Sequence, residues 1–246
     1  MNRKDFITLN TLGLIGASLF PFTPFTASQE FSLAELTGRG SNKIIGDTFK
    51  LHKEAYEAFK TMKSDAQKSG IRIKVISSYR DYQHQNRIWT RKYNRFTGQG
   101  LSPKESIYKI IEYSTIPGTS RHHWGTDLDI VDGSKPLPKD PLLAKHFEKN
   151  GPYNDLKVWM KNNGASYGFH LVYTDAPNRK GFKYEPWHFS YAPLAIPMLQ
   201  AFQKIDVAKE LQKINLVGSN HFDQEFINQY IAENILDINP FLIKTT

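Results

Sequence analysis

TSRHHWGTDLDIVDG, Thr119 to Gly133, sets two adjacent histidines, a tryptophan and a run of aspartates into one short segment. Its second half, TDLDIVD, reads as a strand. Because side chains alternate along a strand, Asp127 and Asp129 point to the same face. Gly125 supplies a turn ahead of that strand. His122 and Asp129, seven positions apart, can therefore be brought to one place by the turn and the strand together.

Outward from this segment the chain mixes helices and strands. Leu51, Ala55, Phe59, Met62 and Ala66 recur at helical spacing after Thr48, and Gly70 stops the helix. IRIKVIS (71–77) alternates apolar and basic residues as a strand does. A second helix starts near Asp81 and carries Ile88 and Trp89. In SPKE, Ser102 caps a third helix, Pro103 suits its first position and Glu105 completes a capping box. Pro117 and Gly118 end that region. YNDLKVWMKNNG reads as a helix closed by Gly164, and FHLVYT and YEPWHFSY as two further strands. The chain is helical again after Pro193, through about Lys244. Without strict βαβ alternation the fold class is α+β: a small, mostly antiparallel sheet flanked by helices, with a helical C-terminal tail.

The 246 residues suit one sizeable domain or one domain with an appendage. MNRKDF followed by ITLNTLGLIGASLF has the charged start and short apolar stretch of an export signal, and Pro21, Pro24 and TAS precede a cleavage point, so 1–28 is expected to be removed. The apolar stretch is too short to span a bilayer comfortably. No integral membrane segment is expected once it is gone. TGRGSNK marks 29–47 as a linker. The domain then runs over 48–192, and 193–246 forms a helical extension.

The net charge of +8 favours acidic partners such as an anionic envelope. The basic residues are scattered and no phosphate loop is present, which argues against nucleic acid. There is no cysteine, so disulfides, thiolate ligands and thiol nucleophiles are excluded.

A metal site in this chain must use His, Asp and Glu. Catalytic zinc takes three protein ligands and an open position, and two histidines with one carboxylate form a natural set. His122 and Asp129 are candidates, with Asp127 a competitor that could instead orient a histidine. His123 reads as a neighbour. A third ligand must come from elsewhere, and EPWH, Glu185–His188, offers a histidine and a carboxylate. Pro186 disfavours regular ladder pairing there, so both side chains could face one cavity. Imidazoles favour zinc over magnesium or calcium. The helical HExxH signature is absent. His52, His84, His146, His170 and His221 carry no metal role.

These residues resemble a known family. Ser120, His122, Gly125 and Asp129 match the SxHxxGxxxD motif of the zinc D-alanyl-D-alanine carboxypeptidases, which include vancomycin-resistance D,D-carboxypeptidases and related L,D-carboxypeptidases. Glu185, Trp187 and His188 match its ExWH motif. SSYRDYQHQ (77–85) looks like its SxYRxxxxQ motif. The three stand in family order, and the resemblance covers about 45–192. It implies Zn2+ on the sheet held by His122, Asp129 and His188, Glu185 as general base, and Arg80 near the scissile carbonyl or the terminal carboxylate. Ser120 and Gln85 would hold the peptide. A small residue is frequent in the family where Asp127 stands. The implied activity is removal of a terminal D-alanine from peptidoglycan stem peptides, D,D or L,D, by a protein exported to the periplasm or cell envelope of a bacterium. A related endopeptidase or dipeptidase is the enzymatic alternative, and a cell-wall binding protein of the same fold the non-catalytic one.

Overall fold

The computed structural model describes residues 30–41 and 43–243; the export segment expected over 1–28 lies outside them. In chain order the main elements are α1 (Leu33–Leu36), β1 (Ile44–Ile45), β2 (Leu51–His52), α2 (Lys53–Lys68), β3 (Ile73–Ser77), α3 (Tyr82–Gly98) and α4 (Pro103–Ile110). There follow β4 (Asp127–Asp132), α5 (Asn154–Asn163), β5 (Phe169–Leu171), β6 (His188–Tyr191), α6 (Ala192–Gln203), α7 (Val207–Gln212) and α8 (Gln224–Tyr230). Four strands form one antiparallel sheet in the order β3-β4-β6-β5, and β1 pairs with β2 in a separate ribbon. The α+β reading holds, with helices flanking small antiparallel sheets.

Local chemistry explains the boundaries. Asp81 caps α3 by accepting the His84 N–H at 2.6 Å. Ser102 and Glu105 form a reciprocal capping box at α4, which satisfies amide donors that a helix start leaves free. Helix α2 begins at Lys53, five residues after Thr48, because Leu51 and His52 pair with β1.

β4 is the buried centre of the sheet. All six of its residues are buried. Leu128 and Ile130 pack among Phe59 and Met62 of α2 and Leu156 and Met160 of α5. Each such side chain contributes on the order of 1.5–3 kcal/mol on burial. The pleat turns Asp127 and Asp129 to the opposite face. A second core joins Trp89 of α3 and Ile107 and Ile110 of α4 to α6, α7 and α8 through Phe202, Leu211, Ile227 and Tyr230. The residues after 193 therefore do not stand apart as an extension; they complete the core on which α3 and α4 rest.

The stretch expected as a linker is also folded onto this body. Leu36 is buried, and its carbonyl accepts the Trp124 indole N–H at 3.1 Å. The Gly38 carbonyl accepts the Tyr82 amide at 2.7 Å. Its small polar residues form tight turns against neighbours rather than a free tether. Among the described residues no helix is long and apolar enough to cross a membrane.

Candidate active site

The site grows from the centre of the sheet. The register sets Asp129 of β4 directly opposite His188 of β6 on one side and Ser77 of β3 on the other. An irregularity in β3 between Val75 and Ser77 precedes Ser78. The Ser78 carbonyl accepts the Nδ1–H of His122 at 2.8 Å. That bond fixes the tautomer and leaves Nε2 as the free lone pair. His122 sits in a 3-10 turn, Arg121–Trp124, closed by Gly125 at φ 69°. Only glycine takes that conformation without penalty, and a Cβ there would also press on Ile44 and the His52 backbone.

EPWH forms a tight turn before β6. The strand begins only at His188, since Pro186 cannot donate to a ladder. The His188 amide donates to the Glu185 carbonyl at 3.0 Å, and the Glu185 amide to the Tyr173 carbonyl at 3.1 Å. The turn brings Glu185 Oε2 to 3.0 Å from His188 Nδ1.

One ligand atom from each of His122, Asp129 and His188 lies within 4.8 Å of the others. His122 Nε2 is 3.5 Å from Asp129 Oδ2, and His188 Nδ1 is 3.5 Å from Asp129 Oδ1. A tetrahedral ion with bonds of ~2.0–2.1 Å holds its ligands ~3.3 Å apart, so this donor set fits a zinc ion. Buried His122 Nε2 and Asp129 Oδ1 have no hydrogen-bond partner among the described residues, which is costly unless something else binds them.

The electrostatics are those of a cation site. Burial, followed by Arg80, pushes the His122 imidazole well below its usual range and keeps it neutral. Burial raises Asp129 to about 6, against the pull of His188 and Arg80. For His188 burial acts downward, but the hydrogen bond to Asp127 and the nearby Asp129 and Glu185 lift it to about 10. The carboxylates thus hold a proton on His188 that a divalent cation would replace.

Asp127 does not join the three. Its Oδ2 accepts from His188 Nε2 at 2.9 Å and from Arg121 Nε at 3.0 Å. Its Oδ1 accepts from Thr126 and Ser190 hydroxyls, each at 2.6 Å. Four donors occupy the carboxylate, and Arg121 holds its pKa far below the usual range against burial. His123 also faces away. Its Nδ1 donates to the Arg80 carbonyl at 2.6 Å and its Nε2 accepts the Gly118 amide at 3.1 Å.

Of the seven residues named from the sequence, six border one cavity of about 340 Å3: Arg80, Ser120, His122, Asp129, Glu185 and His188. Arg80 Nε and Ser120 Oγ are buried without hydrogen-bond partners among the described residues. The seventh, Gln85, is not on the cavity wall. It is fully buried, and its Nε2 donates to the Thr115 carbonyl at 2.9 Å, so it braces the wall from behind. Two further lining residues escaped the sequence reading, Tyr173 and Lys92. Tyr173 stands edge-on to His188 at 5.0 Å between ring centroids. Burial pushes its phenol well above its ordinary range, so it stays a neutral donor. A tyrosine at the frayed end of a strand carries no sequence signal for this placement.

Comparison with known proteins decides the family. Residues 48–194 match the family model of VanY, D-alanyl-D-alanine carboxypeptidase. This chain belongs to the VanY family. An uncharacterized protein of Haemophilus influenzae is 32% identical over 124 residues, which cover 48% of this chain and 93% of the relative. A D-alanyl-D-alanine carboxypeptidase of Enterococcus faecalis is 27% identical over 128 residues, 51% of this chain and 42% of the relative. This chain thus spans less than half the length of that relative. A solved structure of VanYB in complex with D-alanine-D-alanine superposes with a TM-score of 0.52 at 18% identity, covering 72% of this chain and 92% of VanYB. That likeness bears on the fold. The chain is accordingly a peptidase of VanY type, with a candidate His-Asp-His metal group on its sheet.

Proposed function

We propose that this protein is a zinc-dependent carboxypeptidase that removes a terminal D-alanine from peptidoglycan stem peptides. One observation carries the reading: His122, Asp129 and His188 bring one ligand atom each within 4.8 Å of the others, with the Glu185 carboxylate 3.0 Å from His188 Nδ1. His122, Asp129 and His188 would hold the metal. When bound, zinc supplies Lewis acidity, bringing the pKa of a water toward about 7 and polarising a carbonyl.

The remaining chemistry belongs to the side chains. Glu185 Oε2 accepts the proton of the attacking water and returns it to the leaving amine. The Arg80 guanidinium, buried and free of protein hydrogen bonds at Nε, binds the terminal carboxylate or the developing oxyanion. Ser120 Oγ, on the same wall, holds the peptide backbone. Asp127 orients His188. The substrate places the protein outside the cytoplasm, in the periplasm or cell envelope, with residues 1–28 as its export segment.

The test is incubation of the purified protein with defined muropeptides, with and without chelator, and mass spectrometry of the products. Loss of one alanine from the pentapeptide identifies D,D activity, and loss from the tetrapeptide L,D activity. Absence of chelator-sensitive cleavage from any stem overturns the reading.

A further inference from the structure

Lys92 borders the cavity and its charge has no part in the hydrolytic scheme; Arg121, the other such cation on the wall, is paired with Asp127. Lys92 lies on α3, four residues beyond Ile88 and seven beyond Gln85, so the three share one helix face. Ile88 and Lys92 border the cavity with Tyr113, Ser114 and Thr115 beside them and Arg80 and Glu185 on the same wall. Long helical side chains lean toward the helix N-terminus, and the N-terminus of α3 adjoins Arg80.

The ammonium is half-buried and has no hydrogen-bond or ion-pair partner among the described residues. Burial pushes it down to about 8, with Glu185 acting upward and Arg80 downward. The Arg80 side chain likewise draws on charges at a distance, not on a hydrogen bond. Asp129 and Glu185 act on Arg80, and Glu185 on Lys92, through space only; among the described residues no carboxylate hydrogen-bonds either cation, and Glu185 Oε2 is directed at His188. Two like charges held together in a partly desolvated cavity repel one another. The arrangement becomes favourable when an anion enters.

We propose that Lys92 is a substrate-binding residue which, together with Arg80, recognises the free carboxylate of the terminal residue and so restricts the enzyme to chain ends. The inference rests on the peptidase reading and deepens it. A peptide continuing past the scissile bond, or ending in an amide, brings a neutral group into the cavity and leaves both cations without a hydrogen-bonding anion.

The probes are D-alanyl-D-alanine and its C-terminal amide, titrated calorimetrically into zinc-loaded wild-type protein, Lys92→Met and Lys92→Arg. In parallel, a stem pentapeptide and its amide are assayed for hydrolysis. Wild type should prefer the free carboxylate. Lys92→Met should lose about tenfold or more of that preference, in Kd and KM rather than kcat, with affinity for the amide little changed. Lys92→Arg should restore most of it. An unchanged acid-to-amide ratio in Lys92→Met, an equal loss for both probes, or wild-type binding with no preference overturns the assignment. If the ratio collapses as expected but no variant, wild type included, hydrolyses a stem, Lys92 stands as a carboxylate receptor and the hydrolytic reading falls instead.

Discussion

His188 gives its Nε2–H to Asp127 at 2.9 Å, although the strand register sets His188 opposite Asp129 and Asp127 opposite Ser190. The bond is diagonal across β4 and β6, and it turns the other ring nitrogen toward His122 and Asp129. A carboxylate behind a metal-binding imidazole fixes its tautomer and raises its basicity, and losing it weakens metal binding ~10–100-fold. Asp127→Asn should show that loss in a competition titration against a chromophoric chelator. It should also lower stability by ~3–5 kcal/mol, since the buried Arg121 would keep an unpaired charge. The double replacement Arg121→Met with Asp127→Asn should recover much of the stability but not the zinc affinity.

The proposed role of Glu185 can be tested apart from metal binding. Glu185→Gln preserves shape and removes the proton acceptor, so zinc content should remain at one ion per chain while turnover drops ~10²–10⁴-fold. Metal analysis of the purified variant alongside the muropeptide assay checks both halves. Retained activity with lost zinc would reverse the roles given to Glu185 and its neighbours.

His123 ties stability to pH. Burial lowers its pKa from 6.5 to about 4, and its neutral form already uses both ring nitrogens. The unfolded chain takes up this proton near 6.5 and the folded one only near 4. The stabilisation is therefore complete above about pH 6.5 and is lost as the pH falls toward 4, at up to ~1.4 kcal/mol per unit. Melting curves between pH 7 and 4.5 should show a shallower decline for His123→Gln than for wild type, even though that variant starts lower.

Gly38 is confined by the same ring. Its φ is 73°, and an added Cβ would land on the His123 imidazole. Gly38→Ala should cost about 1–3 kcal/mol from left-handed strain and overpacking, read by denaturant unfolding. Gly70→Ala makes a useful comparison, because its φ of 79° carries the same left-handed strain and nothing lies near its Cβ position.

The parts of this architecture that were legible in the sequence are those with local causes. The Ser102–Glu105 box, the Asp81 cap and the alternation of β4 each act over a few residues. Pro186 announced a break in pairing, and the break places Glu185 and His188 on one cavity. Facing relations across long separations were not legible. Whether Asp127 or Asp129 met the histidines depended on the diagonal to β6, 61 residues away. Gln85 and Lys92 share a helix face, yet Gln85 is covered by the Thr115 loop while Lys92 clears it. Nothing in α3 alone determines where that loop lies. Small polar residues in 30–47 suggested a tether, because the partners that fix their turns are Trp124, His123 and Tyr82, far along the chain.

The upstream segment sets a limit on where the protein can be cut. The family match starts at residue 48, but a chain begun there would leave the buried Trp124 indole and the Tyr82 amide without their acceptors, Leu36 and Gly38. Those two donors adjoin the turn bearing His122 and the helix following Arg80. Trimming to the boundary of sequence similarity would thus loosen the floor beneath the candidate site while leaving every one of its residues in place. Any maturation cut that preserves the site must fall ahead of the Ser32 cap of α1.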